Sequence, residues 1–251
     1  MKVLLIDIET FPIQGYVWQL WDANVLRVVE PTTICAFSAK WLGGKQTTRA
    51  LPDYPGYRPG RRNDRALVRD LWNFLDAADI VVAHNGDRFD IKKTNSRFLV
   101  HKLKPPSPYR TVDTLTEAHK IASYDSNKLN ELGKILGLGE KVKTGGADLW
   151  FDCMAGDEKA WRRMKRYNAK DVILLERLYK AMLPWMKNHP NVANGLGPNF
   201  CPACGSPKLQ ARGTAWNKTT KYHRFQCQDC GRWCRDTNNI IERGQKPFVA
   251  I

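Results

Sequence analysis

Two Cys-x-x-Cys-Gly turns, Cys201-Pro-Ala-Cys204-Gly and Cys227-Gln-Asp-Cys230-Gly, stand 22 residues apart and constrain this chain more than any other feature. Each turn brings two thiols to one point, with glycine helping it to close, and tetrahedral Zn²⁺ takes four thiolates. The last fifth of the chain is therefore expected to fold around one structural zinc. A disulfide pair is the competing reading, but five of the seven cysteines crowd into this segment while Cys35 and Cys153 stand alone, which is not how a secreted scaffold distributes them. Cys234 falls outside the pattern and reads as a packed thiol; His223 reads as a hairpin surface residue.

The remaining residues are enough for one further domain of ordinary size: the chain has 251 residues, 43% of them hydrophobic. Forty Lys and Arg against 25 Asp and Glu leave +15, an excess that favours a polyanion such as nucleic acid over an acidic small molecule. The segment from Asn199 onward carries +6 of this and the first 198 residues +9. No apolar run approaches the roughly 18 residues that span a bilayer, and Asp7 interrupts the opening one. The expectation is a soluble cytoplasmic protein with no signal peptide and no membrane partner.

Val3 to Ile6 is a continuous apolar run, the mark of a strand buried on both faces, and is expected to be central. Ile34 to Leu42 and Gln46 to Leu51 flank Gly43-Gly44 as a hairpin. Leu67, Leu71, Phe74 and Leu75 recur at helical spacing, and a short buried strand follows at Ile80 to Ala83. Ile91 to Leu103 reads as a helix, Arg110 to Val112 as a brief strand, and Asp113 as the cap of a helix ending near Ile121. A helix from about Ser126 would place Leu129, Leu132, Ile135 and Leu136 on one stripe. Asp157 to Met182 is strongly helical, as one helix or two with a bend, and Pro184 stops it. The pattern predicts an α/β mixed sheet flanked by helices. Turn-rich residues 187–199 read as a linker, dividing domain 1–186 from domain 200–251.

Asp7-Ile8-Glu9 ends the first strand, where a period of two sends both carboxylates to one face. Asp90 starts a helix beyond the strand at Ile80 to Ala83, near the strand ends where open sheets place ligands. Tyr167 and Asp171 lie four apart on one helix face. Each has an ordinary alternative: a solvated acid, an N-cap, a core tyrosine. Their order and setting together favour a cation site.

Asp7-Ile8-Glu9-Thr10, His84-Asn85-Gly86 to Phe89-Asp90, and Tyr167-Asn168-Ala169-Lys170-Asp171 resemble the three motifs of the DEDD 3′→5′ exonucleases, in the tyrosine branch that includes the proofreading domains of family-B DNA polymerases. The resemblance covers roughly residues 1–185 and implies a ribonuclease H-like fold. It further implies two Mg²⁺ or Mn²⁺ ions held by Asp7, Glu9, Asp90 and Asp171, with Asp7 bridging, and Tyr167 orienting the attacking water. It also points to Thr10, Phe11 and Asn85 as contacts to the terminal nucleotide, and to a substrate lysine that is either Lys141 or Lys143. Asp113 is a further acid near the site or simply an N-cap. The 66 residues after position 185 are too few for a polymerase catalytic domain, so the implied enzyme stands alone.

The cysteine segment resembles a zinc ribbon, with Asn217-Lys218-Thr219-Thr220 as the turn between two strand-like runs. Trp216, Tyr222, Phe225 and Trp233 alternate with Arg212, Lys218, Lys221, Arg224, Arg232 and Arg235, which fits a grip on single-stranded nucleic acid or a protein partner as well as a small packed core. The expected activity is hydrolysis of DNA from single-stranded 3′ ends. An RNA exonuclease of the same fold and a non-catalytic nucleic-acid-binding adaptor are the competing readings.

Overall fold

The computed structural model describes residues 1–142 and 144–241. The chain divides into two compact units, residues 2–179 and residues 180–251 together with Met1.

The first unit is built on a five-stranded sheet. Its strands are β1 (Val3–Phe11), β4 (Thr33–Trp41), β5 (Gln46–Ala50), β6 (Ile80–Ala83) and β7 (Arg110–Asp113), in the order β5-β4-β1-β6-β7. β4 and β5 run antiparallel to their neighbours, whereas β6 runs parallel to β1 and β7 parallel to β6. The sheet is mixed, and β1 is central as its apolar run predicts. Leu4, Ile6 and Ile8 enter one core cluster together with Leu67, Val68, Leu71 and Leu75 of helix α1 (Arg65–Asp76); Leu5, on the opposite face, is equally buried. Both faces of β1 are thus covered, and the strand runs on past Asp7 and Glu9 to Phe11, so the two acids lie within its second half rather than at its end.

α2 (Asp90–Val100) follows β6, and α3 (Thr114–Ile121) follows β7 with Asp113 as its N-cap, accepting from the Leu115 and Thr116 backbone N–H groups. α6 (Glu158–Met182) is a single 25-residue helix. α4 (Leu129–Ile135) is shorter than the expected helix and corrects the expected stripe. Leu129 and Leu132 are buried, but Ile135 is 55% exposed, because successive steps of three residues rotate about 60° each away from a fixed face. Two features had no counterpart in the sequence pattern: helix α5 (Asp148–Ala155) and a hairpin of β2 (Gln14–Tyr16) and β3 (Arg27–Glu30). No helix among the described residues is long and apolar enough to cross a membrane.

The second unit holds a three-stranded antiparallel sheet, β10-β9-β8, made from β8 (Leu209–Trp216), β9 (Lys221–Cys227) and β10 (Trp233–Arg235). The 187–199 stretch is not bare connection, because Val192 and Ala193 are buried and the Val192 N–H donates to the Pro202 carbonyl.

Candidate metal and nuclease site

β1 delivers Asp7 and Glu9 to one side of the sheet, and α6 delivers Asp171 to meet them: one carboxylate oxygen from each lies within 4.8 Å of the others. The face is fixed by the strand pleat, since Ile8 between them is buried in the opposite core. α6 adds a residue that the motif reading left without a role. Asn168, fully buried, donates through Nδ2 to Asp7 Oδ2 at 2.6 Å and to the Asp7 carbonyl at 3.2 Å, locking the carboxylate's orientation. Its signal was available: Asn168 and Asp171 stand three apart on one helix and share a face.

Asp90 is outside this group of three but next to it. It is the first residue of α2 rather than its cap, and its Oδ1 accepts the Ile8 N–H at 3.0 Å, tying the helix start to the middle of β1. The turn that leads to it is forced. Asn85 takes a left-handed φ of 63°, and a Cβ on Gly86 would sit 2.4 Å from that of Ala83, so only glycine fits. Asp113 holds the turn by accepting from the backbone N–H groups of Asn85 and Asp87 while capping α3, so its work is bracing.

Tyr167 and Asp171 share a face of α6, and Lys141 reaches both. Its Nζ lies 2.6 Å from Asp171 Oδ2 and 3.3 Å from the Tyr167 hydroxyl. Of the two lysines nominated from the sequence, Lys141 is thus in the site; Lys143 lies outside the described residues. Trp150, from the unforeseen α5, meets the Tyr167 ring edge to face at 6.2 Å and fixes its tilt. Thr10 is half-buried at the end of β1. Phe11 is 2% exposed, packed on Trp161 and under the Arg62 guanidinium, so its ring is part of the core. Asn85 is half-buried in its turn.

Burial together with mutual repulsion gives these acids an unusual charge state. Asp7 is pushed well above the carboxylate range by desolvation and then by Glu9, Asp90 and Asp171. Glu9 is pushed up to about 8 by burial and by Asp171, and Asp90 up to about 7, chiefly by burial. Burial raises Asp171 too, despite Lys141 beside it, and its Oδ1 is buried with no partner. Such a cluster holds protons at neutral pH unless cations take their place. Three hard oxygen donors around one point, one of them an orphan, fit Mg²⁺ or Mn²⁺. The Tyr167 hydroxyl is raised by burial and by Asp171 and Glu9 nearby, so it stays protonated.

The second unit presents a different candidate metal site. Cys201 and Cys230 Sγ are 3.7 Å apart, as are Cys204 and Cys227, and all four lie within 4.8 Å of one another. Thiolates at about 2.3 Å from a tetrahedral ion are separated by about 3.75 Å, so the spacing fits zinc. Disulfide-bonded sulfurs would be at about 2.05 Å. The two turns are alike in detail. The Gly205 N–H donates to the Cys201 carbonyl and Gly231 to Cys227; the Cys201 N–H donates to Ser206 and Cys227 to Arg232. Both glycines have positive φ, 75° and 79°. Asp229 of one turn accepts from the Ser206 hydroxyl of the other. Cys234 and His223 lie outside the cluster, as their spacing implied.

No curated protein matches the sequence. Among solved structures, the fold is similar to part of the family B DNA polymerase from the hyperthermophilic archaeon Pyrobaculum calidifontis, at 16% identity and a TM-score of 0.51 over 73% of this chain. The chain spans about a quarter of that polymerase, 24% of its length. A family model described as RNase_H superfamily matches residues 30–183, more than half of the chain and most of the sheet that carries the acids. On that match and that sheet order, the chain belongs to the RNase H superfamily.

Proposed function

We propose that the protein is a metal-dependent 3′→5′ exonuclease that hydrolyses DNA from single-stranded ends. The observation that carries this reading is the meeting of Asp7, Glu9 and Asp171, drawn from positions more than 160 residues apart, beside Asp90 and the Tyr167 hydroxyl. Asp7, Glu9 and Asp171 would hold one divalent cation, and Asp7 with Asp90 a second. Such a pair supplies an activated water and countercharge for the leaving oxygen of a phosphodiester.

The protein's own groups have narrower tasks. Asn168 keeps Asp7 turned toward the shared point. Tyr167, protonated throughout, donates its hydrogen bond to orient water in line with phosphorus, a positioning role rather than that of a base. Lys141 balances Asp171 and offers its ammonium to a substrate phosphate. The cysteine unit, basic and aromatic, adds affinity for nucleic acid or a partner.

End-labelled single-stranded DNA and RNA, incubated with Mg²⁺ or Mn²⁺ and with chelator, test the reading. Shortening from the 3′ end, faster on DNA and lost with chelator, is expected. Shortening from the 5′ end, or no cleavage of either strand with both metals, overturns it.

A further inference from the structure

The sheet of the second unit carries a pattern that the metal cluster does not require. In the register of β9 with β10, Arg224 stands directly opposite Arg235, and Gln226 opposite Trp233. Opposed residues share a sheet face, and alternation along β9 adds Tyr222 to it. One face therefore presents Tyr222, Arg224, Trp233 and Arg235. The cations lie diagonally over the rings: the Arg235 guanidinium is 3.7 Å from the Tyr222 centroid, and that of Arg224 is 4.9 Å from Trp233. Arg224 also donates through Nε to the Arg212 carbonyl across the β8 bulge at Gly213, so its head is held in place.

Like charges placed directly opposite across a strand pair are destabilising. Among the described residues neither arginine has an ion-pair partner; the rings and the Arg212 and Asp236 carbonyls are all that offset the repulsion, and none of them carries a full negative charge. Two fixed cations on a ladder of aromatic rings, on a segment of charge +6, call for an anion with flat groups. An acidic peptide satisfies the charges but not the stacked planes, and a duplex hides its bases. Unpaired nucleotides satisfy both, because bases stack on rings and on guanidinium planes alike.

We infer that the Tyr222–Arg224–Trp233–Arg235 face is a track for single-stranded nucleic acid, with phosphates on the two arginines and bases against the stacked planes. This rests on the reading of the protein as a nuclease, but it is tested by binding alone. The opposite face, where Lys221 lies over Trp216 at 4.4 Å, is the internal control.

The experiment uses the full zinc-loaded chain carrying Asp7→Ala and measures anisotropy of a labelled 20-mer of thymidylate over a salt series. Arg224→Ala with Arg235→Ala should weaken binding at least tenfold and flatten the salt slope by about 1.4, two phosphate contacts at about 0.7 each. Arg224→Lys with Arg235→Lys should keep the slope while losing affinity. Trp216→Ala with Lys221→Ala should change neither. Zinc content of each variant guards against misfolding. An unchanged slope in the zinc-replete Ala pair, equal loss from the opposite face, or equal affinity for polyglutamate each overturns the track. If wild-type protein fails to cleave while these binding shifts appear, only the nuclease reading falls.

Discussion

The two ion sites are built by opposite strategies. The cysteine site is local and soft: each turn is complete within a few residues, both repeat the same backbone bonds, and the ligands need only two turns to meet. The carboxylate site is distributed and hard: β1, the start of α2 and the middle of α6 converge only when the sheet has formed. In the first, a metal would stabilise the fold, since so small a sheet has little else to bury. In the second, the fold confines acids that would repel one another if ionised, and a cation would offset that cost. Removing ligands should therefore act in opposite directions on stability.

The largest effect is expected at the cysteines. Structural zinc contributes about 10 kcal/mol or more in small domains, so Cys201→Ser or strong chelation should abolish ordered structure in β8 to β10, read as lost amide protection there. Protection in β1, β4 and β6 should persist. A ribbon that keeps its protection without metal would break the comparison.

Asp7→Asn is next and should separate activity from stability. Cleavage should fall by 10³-fold or more, about 4 kcal/mol of barrier, because both expected ions lose a ligand. Thermal stability without Mg²⁺ should hold, and rise at high pH, since the amide replaces a carboxyl whose ionisation burial and its neighbours oppose. Loss of both would place Asp7 in the ordinary structural class.

Tyr167→Phe should cost less, about 10- to 100-fold in turnover, with metal affinity unchanged. Trp150 and the Lys141 ammonium still brace a phenylalanine ring, so its position should persist. A Phe variant with full activity would make Tyr167 a packing residue only.

The difference between the sites also explains what the sequence disclosed. The cysteine cluster was legible outright because its spacing is its geometry. Asp7 and Glu9 were legible because the strand period decides their face, and Tyr167 and Asp171 because four residues make a helical turn. The choice between Lys141 and Lys143 was not legible, as the sequence around them has no apolar period to orient either one. Helix α5 was hidden because it is only eight residues long and buries only Leu149 and Cys153 fully, with Trp150 and Met154 half-buried beside them, too short a run to show a stripe. The β2–β3 hairpin was hidden for the opposite reason: Tyr16, Trp18, Leu20, Trp21 and Val28 are apolar yet exposed, so hydrophobicity there does not report burial. Phe11 is buried against Trp161 and Arg62, a setting that the motif resemblance does not carry.

The smallest effect concerns pH and sharpens the comparison most directly. Glu9 rises from an ordinary 4.5 to about 8 in the folded protein, so between those values the native state holds a proton that the unfolded chain has released. Its contribution to stability is therefore lost as pH rises through this window and stays lost above it. Glu9→Gln removes the titration while keeping shape. The variant and wild type should be equally stable near pH 5 without Mg²⁺ or Mn²⁺, and the variant should gain about 1–2 kcal/mol by pH 8.5, after allowance for solvent access to the cluster. Saturating Mn²⁺ should reverse the order, because the wild-type carboxylate then binds the ion better than an amide does. Thermal midpoints of zinc-loaded protein, dialysed free of other divalent ions, measure the difference. If the gap does not widen with pH, or if Mn²⁺ leaves it unchanged, the acids are not held together against their own charge, and the contrast with the cysteine site fails.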